Sequence, residues 1–221
     1  MSALSRRQVA WRAAQDIPEG WTVNLGIGIP TLVPNFLPPD REVIFHSENG
    51  VLGVGPAPAK GAEDPDLINA TKEFITLVPG GSFFAHSDAF VMIRGGHLDL
   101  ALLGAFQVAA NGDLANWSTD DDSQPPGVGG AMDLAAGARH IRVLMTHTGP
   151  GGVAKLVQRC TLPLTTTARV ERIYTDLGVL EPAGESFRVL ELAPGIELAA
   201  LAKLTGAPLT GEPVAMAVPA L

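Results

Sequence analysis

Trp21-Thr22-Val23-Asn24-Leu25 runs into Gly26-Ile27-Gly28-Ile29-Pro30, and the next apolar run, Val43-Ile44-Phe45, ends at His46-Ser47-Glu48-Asn49-Gly50. The first five residues predict a strand and the glycine pair a tight turn, after which Thr31 to Leu37 can begin a short helix. Strand, glycine turn and helix make an α/β unit. Val43 to Phe45 has the β-branched and aromatic character of a strand buried on both faces. Glu48 therefore stands where a strand gives way to a loop, at the end of a sheet where ligands of open α/β folds collect.

Working outward, Val9, Ala10, Ala13 and Ile17 recur at helical spacing behind Ser5, a candidate N-cap, and Pro18-Glu19-Gly20 stops that first helix. Further strands are expected over Phe74 to Val78, Leu98 to Leu103, His140 to Met145, Ile173 to Leu180 and Phe187 to Leu192. Helical stretches are expected over Met132 to Ala138 and Ile196 to Leu204, the latter stopped by Gly206. The pattern predicts an α/β chain, an open and mostly parallel sheet with flanking helices, in a single domain over residues 1–221.

Hydrophobic residues make up 46% of the 221 and charged residues 17%, enough apolar surface to offset chain entropy, so a disordered class is excluded. A formal net charge of -8 disfavours a sequence-independent grip on nucleic acid. Cys160 is the only cysteine, which rules out an intrachain disulfide and points to a reducing cytoplasm. The N-terminus lacks the apolar core of a secretion signal, and no charge-free apolar run is long enough to span a bilayer, so no membrane partner is expected.

The 25 glycines and 18 prolines imply many tight turns. Gly26-Ile27-Gly28-Ile29-Pro30 lacks the third glycine of a dinucleotide fingerprint, and Pro30 removes a backbone donor, so a plain strand-to-helix turn is the better reading. Gly127-Val128-Gly129-Gly130 precedes Ala131-Met132-Asp133-Leu134. It is either a simple loop-to-helix junction or a source of free N–H groups for an anion or a developing oxyanion. The cluster Asp120-Asp121-Asp122 reads as a solvated loop rather than a cation site. No pair among the five histidines has zinc-site spacing, and no metal is expected. His46 fits a packing or hydrogen-bonding role, and Cys160 fits a buried small hydrophobe better than a nucleophile. Glu48 has two readings: a solvated carboxylate in a turn, or a nucleophile that needs no general base because it is ionised at neutral pH.

The segments Val23 to Pro30, Ser47-Glu48-Asn49-Gly50, Asp66 to Ala70, Met92 to His97, Gly112 to Trp117, Gly129-Gly130-Ala131-Met132-Asp133-Leu134 and Cys160-Thr161-Leu162-Pro163-Leu164 occur in an order that resembles the B subunits of family I (3-oxoacid) coenzyme A transferases. That resemblance spans nearly the whole chain. It implies the coenzyme A transferase fold, which is related to that of sugar-phosphate isomerases. It further implies that Glu48 is the covalent residue and the Gly130 N–H an oxyanion donor, with Asn49, Gly129 and a loop carrying Gly50, Gly53 and Gly55 along the substrate. The implied partner is an A subunit, in a heterodimer or heterotetramer. Acyl-CoA and a 3-oxoacid are the implied substrates, with no cofactor beyond the coenzyme A thioester itself. Thr71, Thr166 and Gln124-Pro125-Pro126 depart from the family pattern, and Gly104-Ala105-Phe106-Gln107 looks closer to the 3-oxoadipate members than to the acetoacetate ones. Two other readings are a non-catalytic subunit of the same fold and a sugar-phosphate isomerase with a carboxylate base and a lysine.

Overall fold

The computed structural model describes residues 3–119 and 127–221, so the acidic cluster at 120–122 and Gln124-Pro125-Pro126 lie outside the described residues. The chain opens with α1 (Arg6–Gln15), which starts at a complete capping box. The Ser5 hydroxyl accepts from Gln8 N at 3.2 Å, and Gln8 Oε1 accepts from Ser5 N at 2.9 Å. Val9, Ala10, Ala13 and Ala14 are its buried face. Strand β1 (Thr22–Leu25) follows, then a 3₁₀ helix over Ile29–Phe36, tighter than the expected helix because it carries Pro30 and Pro34, which remove donors.

Then come β2 (Ile44–Ser47), β3 (Val51–Val54), β4 (Leu77–Phe83), α2 (His86–Arg94), β5 (Leu100–Leu103), β6 (Gln107–Ala109), β7 (Leu114–Ala115), α3 (Ala131–Gly137) and β8 (His140–Met145). The chain closes with β9 (Leu156–Val157), β10 (Val170–Thr175), β11 (Gly178–Pro182), β12 (Phe187–Leu192), α4 (Leu198–Leu204), β13 (Leu209–Thr210) and β14 (Val214–Ala215). Strand order in the main sheet is β13-β12-β11-β10-β8-β5-β1-β2-β3-β4, with β14 also paired to β12; β7-β6-β9 form a small second sheet. The five central strands, β10-β8-β5-β1-β2, are parallel, and antiparallel hairpins extend the sheet on both sides. Val23, Leu100, Leu102, Ile141, Val143 and Ile173 on these strands are fully or almost fully buried, as strands covered on both faces require. One cluster of buried apolar side chains joins them to α1, α3 and α4.

Three expectations need correction. Ile173 to Leu180 is not one strand. The Thr175 hydroxyl accepts from Leu177 N and Gly178 N, both at 3.1 Å, and this turns the chain into the β10–β11 hairpin. Phe74 to Val78 is displaced: Phe74 makes only an isolated bridge to Ile68, and the strand runs from Leu77 to Phe83 at the sheet margin, where Pro79 can be tolerated. The glycine-rich stretch after Asn49 is not a loop throughout, since Val51–Val54 is β3 and pairs with both β2 and β4.

Candidate active site

The parallel strands β2, β1, β5 and β8 lie side by side, so their C-terminal ends form a row. Above that row opens a cavity of about 550 Å³. Its floor includes Gly26 after β1, Gly104 after β5 and Thr146 after β8; Glu48 follows β2; and Gly127 to Ala131 form part of the wall. Gly26 has to be glycine, because a Cβ there would come within 2.7 Å of Leu102 O. This fits the plain tight turn, with Gly26 N donating to Leu102 O at 2.8 Å.

Glu48 is half-buried, and its carboxylate rests against Gly130. A Cβ on Gly130 would collide with Glu48 Oε2 and lie 3.0 Å from Phe90 Cζ, so only glycine lets the carboxylate pass so close to this backbone. Among the described residues the Gly129 and Gly130 amides donate to no other group. As far as the described residues go, they are open to an anion. The Glu48 carbonyl accepts from His86 Nδ1 at 2.8 Å, which assigns the Nδ1–H tautomer and fixes the backbone from which the nucleophile candidate projects. His86 meets the edge of Phe90 with ring centroids 4.8 Å apart, Arg94 stacks over Phe90, and Arg94 Nε pairs with Asp133 Oδ1 at 2.7 Å. Helices α2 and α3 are thereby tied together around the carboxylate.

Burial raises the Glu48 carboxyl above the ordinary glutamate range; the neighbouring His86 opposes that shift and Asp133 adds to it. A carboxylate withdrawn from water without a paired cation is a better nucleophile than a solvated one. His46 lies beneath, fully buried, stacked on Phe84 and bonded through Nδ1 to the Asn24 amide at 2.8 Å. Burial pushes its ring down to about 4, so it is neutral at pH 7 and packs as the sequence suggested. Burial pushes the Cys160 thiol up to about 11, and Asp113 acts in the same direction, so this sulfur stays protonated.

The structure brings Glu48, Gly129 and Gly130 together at one cavity wall and leaves Asn49, Gly50, Gly53 and Gly55 outside its lining. Asn49 Nδ2 donates to Ile68 O at 2.8 Å. A Cβ on Gly50 would strike Phe84 O, one on Gly53 would sit 2.9 Å from Gly81 Cα, and one on Gly55 would strike Thr76 Oγ1. Close packing against the Thr76 to Phe84 segment thus accounts for all three glycines. Sequence reasoning missed His86, Phe90 and Arg94, all on α2. The signal was present in Met92-Ile93-Arg94-Gly95-Gly96, where Gly95-Gly96 follows the helix as a C-terminal stop. It also missed Arg6 and Lys155, which line the cavity with Glu48. Among the described residues no three His, Cys, Asp or Glu side chains group as a metal site, and no helix is long and apolar enough to cross a membrane.

The coenzyme A transferase family model matches residues 6–203. The B subunit of a 3-oxoadipate CoA-transferase from Pseudomonas putida is 58% identical over 206 residues, covering 93% of this chain and 96% of that protein. The B subunit of a succinyl-CoA:3-ketoacid coenzyme A transferase from Helicobacter pylori is 48% identical over 193 residues, covering 87% and 92%. Among solved structures, the acyl-CoA transferase YdiF from Escherichia coli O157:H7 superposes with a TM-score of 0.73 at 19% identity, over 97% of this chain and 43% of that one, a likeness of fold. With identity of this order to two transferase B subunits along almost their full length, and a family match that takes in Glu48 and Gly130, this chain belongs to the coenzyme A transferase family.

Proposed function

We propose that this chain is the B subunit of a two-subunit enzyme that moves coenzyme A from succinyl-CoA to a 3-oxoacid, 3-oxoadipate or acetoacetate, with Glu48 as the covalent carrier. The observation that carries the proposal is the half-buried Glu48 carboxylate packed on Gly130, above the ends of four parallel strands and beside two amides that find no acceptor among the described residues. A Glu48 oxygen attacks the thioester carbonyl, and the tetrahedral oxyanion takes the Gly130 N–H and a donor from the A subunit. Collapse breaks the C–S bond and gives an acyl-glutamyl anhydride and CoA thiolate. The thiolate attacks the Glu48 carbonyl and releases succinate, which carries away the oxygen that Glu48 contributed. A glutamyl-CoA thioester is left. The acceptor carboxylate then runs both steps backwards, and one of its oxygens is left on Glu48.

Each intermediate is activated towards water, so the cavity has to be closed. Ile27 and Phe106 line it yet are 74% and 40% exposed, an arrangement suited to cover by a second polypeptide. Coenzyme A enters as substrate and no further cofactor is needed. Gly129 borders the substrate, whereas Asn49, Gly50, Gly53 and Gly55 support the hairpin that presents Glu48. A cytoplasmic location suits the single cysteine. Lys155 in the cavity would also suit an isomerase, but relatedness over 93% of the chain to a transferase B subunit favours transfer. Acceptor acid labelled with ¹⁸O in its carboxyl group tests the transfer reading, since an isomerase would put label in neither the peptide nor succinate. Transfer through Glu48 puts label on the peptide containing Glu48 and, one turnover later, in succinate; succinate labelled while that peptide stays unlabelled rejects the covalent route.

A further inference from the structure

Three ionisable side chains line the cavity among the described residues: Glu48, Arg6 and Lys155. The lining thus holds two cations to one carboxylate. Arg6 is exposed at the rim, within the electrostatic reach of Glu73. Lys155 is different. It is half-buried, and its backbone N bonds to His147 O at 3.4 Å, just beyond the C-terminal end of β8. Its ammonium makes no hydrogen bond or ion pair with any described residue. The nearest anionic influence is Asp176, whose Oδ1 is already engaged by His147 N at 2.6 Å. Burial depresses the Lys155 ammonium and Asp176 only partly restores it, as expected of a cation held ready without its counter-charge.

The position is as telling as the missing partner. Glu48 follows β2 and Lys155 sits by the end of β8, and the order β8-β5-β1-β2 puts three strand spacings between them. At about 4.8 Å per spacing the two strand ends are about 14 Å apart. A short acyl chain bridges that distance once the two side chains reach in from either end. Between them the lining is largely backbone and apolar groups, including Leu103, Ala105 and Met145. That stretch of the lining suits a carbon chain.

We propose that Lys155 binds the far carboxylate of a dicarboxylic acyl group whose near carboxyl is exchanged at Glu48, and so sets a preference for dicarboxylates such as succinate. This rests on the reading of Glu48 as the site of transfer. A charge-assisted hydrogen bond in a partly dry cavity is worth on the order of 30-fold in kcat/KM.

The test compares succinate with succinamate, which differs only in lacking the far charge, as CoA acceptors for the complex of this chain with its A subunit. The unaltered complex is expected to favour succinate by roughly 30-fold, Lys155→Met to bring that ratio within about threefold of unity, and Lys155→Arg to keep most of it. Equal use of both acids by the unaltered complex overturns the inference without any variant, so a Lys155→Met chain that fails to fold does not protect it. A ratio unchanged in Lys155→Met overturns it as well. So does an equal rise in KM for all CoA thioesters, which would place Lys155 on CoA instead. A CoA adduct on Glu48 in the unaltered complex separates the two claims: its absence removes the underlying reading, and its presence with a ratio indifferent to Lys155 removes this inference alone.

Discussion

Asp16, just past α1, and Glu48, just past β2, are both carboxylates partly withdrawn from water, and burial pushes both upward in pKa. Their surroundings then part. Asp16 takes Arg12 Nη1 at 2.8 Å on one oxygen and Arg172 Nη1 at 3.0 Å and the Tyr174 hydroxyl at 2.7 Å on the other. Arg12 is also paired with Glu191, and Arg172 with Glu181. Although burial is the largest single influence on Asp16, these bonds and charges outweigh it and hold the carboxyl below its ordinary range. At Glu48 no cation among the described residues pairs with the carboxylate, and burial prevails. A carboxylate with both oxygens bonded to cations or donors is structural, whereas one left under-partnered beside backbone amides is available for chemistry.

Breaking the pairings should act in opposite ways at the two places. Glu48→Ala is expected to lower CoA exchange by at least about 10⁴-fold in the complex with the A subunit, with the denaturation midpoint close to the original. Gly130→Ala should cost about 10²-fold in kcat, because its methyl group displaces the carboxylate and disturbs the donor. A variant with unchanged kcat would show that Glu48 and Gly130 do not work together.

Asp16→Asn should leave kcat near its original value but destabilise the fold by about 2–3 kcal/mol, since Arg12 and Arg172 lose their shared anion. Glu48→Gln should move the midpoint the other way at neutral pH. A carboxyl whose folded pKa is raised gives its full stabilisation below its unfolded pKa and loses it as pH rises through the folded one, so above that its charge is a burden. Equal losses of stability in the two variants would erase the distinction drawn here.

A smaller effect comes from His46 and His147, both pushed by burial from 6.5 to about 4. Their neutral forms favour the fold above pH 6.5, and that contribution is lost as pH falls towards 4, because the unfolded chain takes up protons that the folded chain refuses. Each should lower stability by at most about 1.4 kcal/mol per pH unit in that window, as followed by urea unfolding. Removing the imidazole with His147→Asn should flatten the slope.

Local pattern carried the sequence reading far in the parallel centre. Ser5 capped the first helix, Val43 to Phe45 led into β2, and Glu48 fell at the strand's end, because caps and buried strands leave marks within a few residues. Where distant segments decide, those marks are missing. Gly53 is glycine because Gly81 passes against it from β4, and short β3 therefore looked like a loop. Lys155 reaches the cavity only because the segment after β8 doubles back through the Thr148–Ala154 bridge. The role proposed for Glu48 was legible only through family resemblance, since its own four-residue surroundings fit a solvated turn equally well.

The central claim is that Glu48 carries coenzyme A, and mass analysis of the assembled complex given acyl-CoA without acceptor tests it most directly. The peptide containing Glu48 is expected to gain the mass of coenzyme A less one water, and Glu48→Ala to abolish the gain. Exchange that proceeds at full rate while that peptide stays unmodified would contradict it.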